Sequence, residues 1–148
     1  MSTRELKHLA KALGLENEAN LKLRVAFGIA CVVRVEHLLI DTTIKECLAR
    51  GKTFVTDEIS EDELANVAIL ASECARSHPG TNSMDGSGSA AVSASHAVAA
   101  ALTGSALLAA DYAAYASVYS YASYAVTDAS AYADEYAWQL RKLQTLAV

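Results

Sequence analysis

Two histidines lie where a carboxylate could help them do chemistry. His37 and Asp41 have the i, i+4 spacing that places two side chains on one face of a helix. A zinc site needs three or four ligands and no second motif supplies them, so we predict a helix-end role for this pair and no metal site. His96 could act as a general base beside Asp111 or a tyrosine hydroxyl, and His96, Asp111 and Tyr112 define a possible polar pocket. A lone histidine more often bonds a neighbouring hydroxyl or carbonyl, so we predict no catalytic residue here.

Asp111 is the one charged residue between positions 86 and 127. A buried charge is costly unless it is paired. We therefore expect the Asp111 carboxylate to contact Arg24, Arg34 or His96, with a position at a solvent-facing notch as the alternative.

The remaining reactive residues match no catalytic or cofactor-binding pattern. The GSGS run at 86–89 lacks the lysine of a phosphate-binding loop and follows no strand. The sequence has three cysteines, Cys31, Cys47 and Cys74, and no two of them form a CxxC motif. Each lies in an apolar helical pattern, which favours buried, reduced thiols. The first fourteen residues have scattered charges and no apolar core, so we predict no signal peptide and a cytoplasmic location. The sequence thus indicates a non-enzymatic protein without a cofactor.

Two sets of residues could instead bind a partner. One is an acidic run whose charge could steer a basic protein into contact, although acids at a helix N-terminus are also favourable by themselves. The other is a set of tyrosines on alanine-rich segments, which could anchor an interface or a homodimer. The predicted partner-binding residues are Asp57, Glu58, Glu61, Asp62, Tyr115, Tyr119, Tyr121 and Tyr124.

The composition argues against nucleic-acid and membrane partners. The net charge is −5, whereas phosphate contact needs clustered Lys and Arg. The alanine-rich segment from Gly88 to Ala137 holds all seven tyrosines, but few large aliphatic residues and no flanking cluster of basic residues. We therefore predict buried helices and no membrane span.

These residues are positioned by helices throughout the chain. The apolar spacing and capping signals predict a single all-α domain over 1–148, a compact bundle of six to seven helices with an Ala/Tyr-rich C-terminal half. A breaker-rich, flexible loop is expected at about 78–88. The helices are expected at about 2–13, 17–40, 43–50, 61–77, 88–102, 106–125 and 128–146. Thr43 with Glu46 and Ser60 with Glu63 are predicted to form capping boxes at two helix starts. Gly14 and Gly51 are predicted to end helices, Gly14 as a left-handed cap.

Three stretches together resemble the Imm5-like immunity proteins of bacterial polymorphic toxin systems. They are RVAFGIACVVRVEHLL, ECLARGKTFVTDEISEDELANVAILASECARS and SAAVSASHAVAAALTGSALLAADYAAYAS. The resemblance covers about residues 25–120, and the matching positions are Ala49-Arg50-Gly51, 59–64, Ser95-His96-Ala97 and Asp111-Tyr112-Ala113. It implies an all-helical protein that neutralises a toxin by stoichiometric binding.

Two other functions fit the same residues. A phage-encoded anti-defence inhibitor, such as an anti-CRISPR protein, would also be small, acidic and non-catalytic. A helical bundle that binds a small molecule in a pocket near His96 and Asp111 is the third hypothesis.

Overall fold

The computed structural model describes residues 3–77, 86–122 and 125–148, and 82% of it is helical, with no strand in these ranges. In this described part of the chain seven α-helices pack into a compact bundle, which confirms the predicted fold class. They are α1 (Thr3–Ala12), α2 (Leu21–Val33), α3 (Thr42–Val55), α4 (Glu61–Arg76), α5 (Gly86–Leu102), α6 (Ala106–Ala122) and α7 (Ala133–Leu146). Within the described residues, short 3₁₀ turns lie at Glu18–Asn20, Glu36–Leu38 and Ala129–Tyr132. Of the predicted loop at about 78–88, residues 78–85 lie outside the described residues and 86–88 belong to α5.

Helix boundaries follow from capping side chains. Ser60 accepts a hydrogen bond from the Glu63 amide and the Glu63 side chain reaches back to Ser60, which is the capping box expected from the sequence. At α3 the predicted cap at Thr43 is wrong. The Asp41 carboxylate accepts bonds from the amides of Thr43 and Ile44 instead, and so it starts the helix one residue earlier.

The predicted helix over 17–40 is wrong at both ends. The α-helix covers only Leu21–Val33, and 3₁₀ turns replace its first and last segments. The turn after α2 buries Val35 and Leu39, which both lie in the main hydrophobic core. The free energy gained by burying these two side chains therefore exceeds that of the hydrogen bonds lost where the α-helix ends.

Gly51 does not terminate α3 as expected. The helix continues to Val55, and Gly51 is buried inside it. A Cβ atom at this position would lie 2.3 Å from Cδ2 of Leu102 and 3.2 Å from Cδ1 of Ile29. A larger residue at this position would require the Leu102 side chain of α5 to shift, so glycine fits the space that the α2 and α5 side chains leave beside α3.

The alanine-rich helices form the centre of the bundle. α5 packs against α6, α4 and α2, and Ala97, Ala101, Ala109 and Ala113 are buried there. α2 approaches α5 closely at Gly28, where a Cβ atom would lie 2.9 Å from Cβ of Ala101. Small residues thus set the spacing of these helices.

A polar network connects α2, α6 and α7. Nε and Nη2 of Arg34 both lie 3.1 Å from Oε2 of Glu135, and Ser117 donates a 2.6 Å hydrogen bond to Oε1. The Arg34 guanidinium also lies 4.4 Å from the centre of the Trp138 ring. Because Glu135 is buried, this pairing supplies the partners that its carboxylate loses from water.

Candidate functional site

The acidic residues of the predicted docking patch have different local roles. Asp57 has a left-handed backbone conformation with φ of 64° and forms a 2.6 Å ion pair with Lys22 of α2. Glu58 accepts a hydrogen bond from the Thr56 hydroxyl, so both residues are part of the exposed turn between α3 and α4. Both carboxylates therefore already have partners within the fold, which makes them less available to another protein.

Glu61 and Asp62 occupy the first two positions of α4 and are exposed. They lie at one end of a groove with a volume of about 610 Å³. The groove is lined by one face of α4 together with the start of α2 and the end of α5. The lining residues are Leu21, Glu61, Asp62, Leu64, Ala65, Ala68, Ile69, Ser72, Arg76, Leu102 and Thr103.

The groove combines an apolar centre with charged ends. Ile69 is 59% exposed although it is a large aliphatic residue. The lining runs along α4 from the Glu61 and Asp62 carboxylates to Arg76, a distance of about 20 Å at the rise of an α-helix. An elongated apolar surface with opposite charges at its ends is suited to an amphipathic segment of another protein.

The tyrosines differ widely in exposure. Tyr121 is 64% exposed, whereas Tyr132 is buried and donates a 2.7 Å hydrogen bond to the carbonyl of Val126. Tyr115 and Tyr119 are half-buried, with ring centres 5.7 Å apart on the surface of α6. Tyr124 lies outside the described residues. Of the predicted anchors, Tyr121 therefore has the largest free surface in the described part of the chain.

The residues of the predicted polar pocket are close together. The His96 ring of α5 stacks on the Tyr112 ring of α6 with a centroid distance of 5.3 Å. Next to Tyr112, Asp111 lines a shallow depression of about 370 Å³ with Ser93, Leu108, Tyr112 and Tyr115. Within the described residues the pocket is thus an aromatic surface with one carboxylate at its edge.

Asp111 forms no salt bridge with any described residue, so the expected ion pair with Arg24, Arg34 or His96 is wrong. Arg24 instead donates a 2.9 Å hydrogen bond to the carbonyl of Leu15, and Arg34 pairs with Glu135. Asp111 is exposed, in agreement with the alternative of a solvent-facing notch. Partial burial nevertheless raises the pKa of Asp111 above its ordinary value, an effect that the charge of Lys7 on α1 partly offsets.

His37 and Asp41 do not lie on one helix, and the three cysteines are free thiols. Asp41 caps α3, and His37 lies in the preceding 3₁₀ turn. Over the ranges 3–77, 86–122 and 125–148, no three His, Cys, Asp or Glu side chains are grouped so that they could hold a metal ion. Cys31 and Cys47 are buried free thiols and Cys74 is half-buried, and burial raises the pKa of all three.

Sequence reasoning missed two surface features. Ile69 of α4 is exposed, and it falls outside the 64, 67, 68, 71 and 75 spacing of the buried face of the helix, so this offset could have identified it as a surface residue. A basic stripe on α1 was visible in the sequence, because its members have the i, i+3, i+4, i+7 spacing of one helical face. The stripe consists of Arg4, Lys7, His8 and Lys11, which are all exposed.

No helix in the described ranges is both long enough and apolar enough to cross a membrane. No protein-family model, curated protein or solved structure matches the chain.

Proposed function

We propose that this protein is a non-enzymatic inhibitor of the immunity-protein type, which neutralises a toxin by binding it stoichiometrically through the α4 groove. The observation that carries the proposal is the apolar groove with Glu61 and Asp62 at one end. The resemblance of residues 25–120 to Imm5-like immunity proteins supports the choice of a toxin as the partner.

The apolar part of the groove would provide most of the affinity. Ile69 keeps more than half of its surface in water, and its burial under a partner is favourable by the hydrophobic effect. Leu64 and Leu102 also line the groove and are buried in the packed core, which restricts their movement and makes this floor rigid. A rigid floor binds with little loss of conformational entropy.

The carboxylates would select and steer the partner. Glu61 and Asp62 form no ion pair among the described residues, although their position at the start of α4 is favourable for the helix dipole. Their charges are available to a Lys or Arg side chain of the toxin. Charges at the edge of an interface act mainly on the association rate.

Binding of the protein encoded by the adjacent gene, as the candidate toxin, tests the proposal. Two adjacent aliphatic residues offer a matched pair, because Ile69 lines the groove and Leu70, which is 46% exposed, does not. Ile69→Ser should raise the Kd at least about tenfold, the effect expected for an interface anchor. Leu70→Ser should leave the Kd unchanged within a factor of about two. Equal effects of the two substitutions would contradict the assignment of the groove.

A second pair of variants tests the electrostatic part. Asp62 is the second residue of α4, and Asp134 is the second residue of α7. Both Asp→Lys substitutions disturb a helix N-terminus equally, but only Asp62→Lys should slow association and reduce its salt dependence. If the purified protein forms no complex with the neighbouring toxin, the immunity function is wrong. A complex with a defence nuclease would indicate the anti-defence function instead.

A further inference from the structure

One face of α6 forms a depression that is separate from the α4 groove. Leu108, Asp111, Tyr112 and Tyr115 are related by i, i+3, i+4 and i+7 spacing, and Ser93 of α5 lines the same depression. None of these residues lines the α4 groove. A ligand here would therefore bind independently of the proposed toxin contact.

The Asp111 carboxylate lies in this depression without a salt bridge to any described residue. Its pKa is raised because burial disfavours the charged form, and the charge of Lys7 compensates only in part. A cation bound to the carboxylate would replace the favourable interaction with water that the charged form loses on burial.

The surroundings of Asp111 restrict the kind of cation. Tyr112 and Tyr115 present aromatic surface to the depression, and Leu108 adds an aliphatic side chain that is 49% exposed. His96 already stacks on Tyr112 from α5, which holds the ring in place. A planar guanidinium can stack on an aromatic ring and donate two parallel hydrogen bonds to a carboxylate, whereas an ammonium is a more strongly hydrated point charge.

We propose that the α6 depression is a binding site for a guanidinium group, with Asp111 as the counter-ion and Tyr112 and Tyr115 as the aromatic walls. The aliphatic chain that carries the guanidinium would lie along Leu108. The group can belong to an arginine residue of a protein or to a free arginine-like molecule, since both present the same chemistry.

Titration of the isotope-labelled full chain, followed by NMR, tests this site. The probe is N-acetyl-arginine methylamide, and the comparison probes are the lysine and norleucine analogues. We expect saturable shifts at α6 residues with a Kd in the millimolar range for the arginine probe, weaker binding of the lysine probe and no saturation with the neutral one. Equal binding of the norleucine probe, or no saturable shift with the arginine probe, would overturn the proposal.

Three variants separate a specific site from general attraction to an acidic protein. Asp111→Asn should weaken binding of the arginine probe at least tenfold, whereas Asp62→Asn, which removes the same charge from the α4 groove, should not. Lys7→Gln should strengthen binding, because it removes a positive charge that acts on Asp111. Equal affinities of Asp111→Asn and the wild type would refute the role of the carboxylate.

The same NMR titration with a capped peptide that has a central arginine distinguishes the two sources of the guanidinium. If the peptide and the single-residue probe bind with similar affinity, the site accepts an arginine of a protein partner. If only the single-residue probe binds, the site is specific for a small molecule. A negative result for toxin binding at the α4 groove would not affect either outcome.

Discussion

Gly28→Ala tests whether close approach of α2 and α5 is essential to the bundle. A Cβ atom at Gly28 would lie 2.9 Å from Cβ and 3.0 Å from Cα of Ala101, and 3.5 Å from Cβ of Ala109. Favourable contacts between carbon atoms begin at about 3.5 Å, so the two helices must separate by roughly half an ångström. No side-chain rotation can relieve the contact, because Ala101 presents only its Cβ and its backbone.

Two opposing effects determine the net change. Alanine is favoured over glycine inside a helix by about 1 kcal/mol. Overpacking of a dense core costs about 1–3 kcal/mol, and contact with backbone atoms places this site in the upper part of that range. Gly28→Ala should therefore lower the free energy of unfolding by about 1–2 kcal/mol.

Urea unfolding monitored by circular dichroism measures this change, with the m-value expected to stay constant. Ala101→Gly removes the Cβ atom at 2.9 Å but leaves Cα at 3.0 Å, so the double variant should recover part of the loss. A double-mutant cycle should give a favourable coupling of at least about 0.5 kcal/mol. If Gly28→Ala is as stable as the wild type, or more stable, the proposed packing constraint is refuted.

Other substitutions test the polar network, the Asp111 site and the thiols. Glu135→Gln breaks a buried ion pair and should lower the free energy of unfolding, measured by urea titration, by about 2 kcal/mol. Glu36→Gln breaks the exposed pair with Lys52 and should lower it by only about 0–1 kcal/mol. Equal losses would contradict the difference in burial between the two pairs. Because burial raises the Asp111 pKa above 3.8, the folded state holds this proton more tightly and stability is lost as pH rises above that value. Asparagine is uncharged at every pH, so the free energy of unfolding of Asp111→Asn relative to the wild type should increase from acid to neutral pH. A difference in the urea unfolding midpoint that stays constant with pH would refute this prediction. Iodoacetamide should modify half-buried Cys74 first and buried Cys31 only on unfolding, and the reverse order by mass spectrometry would contradict the burial of these thiols.

The sequence predicted helix boundaries correctly where a local capping residue determines them. Gly14 has a φ of 64° and lies just after α1, as expected for a left-handed cap, and the Ser60 capping box starts α4. The end of α2 carries no glycine or proline, so its turn at Val35 could not be recognised. That turn is determined by packing against distant helices.

The same limit applies to the candidate surfaces. Asp57 and Asp62 belong to one acidic run, but Asp57 pairs with Lys22, which lies 35 residues earlier, and Asp62 borders the groove. The role of Gly51 depends on Leu102, far away in the sequence. Sequence reasoning could name the acidic and tyrosine sets, whereas the division of each set into structural and available members required the tertiary contacts.

The alanine-based packing of α5 against its neighbours has a consequence for sequence variation. Alanine has no side-chain rotamers, so this core loses little conformational entropy on folding but also has no side chain that can rotate to admit a larger one. Replacement of Ala97 or Ala109 by valine or leucine should be more harmful than replacement by glycine, in contrast to a leucine-rich core, where truncation is the severe change. Homologous chains could therefore diverge freely on the surfaces of α4 and α6 while residue size at the α5 contacts stays almost constant.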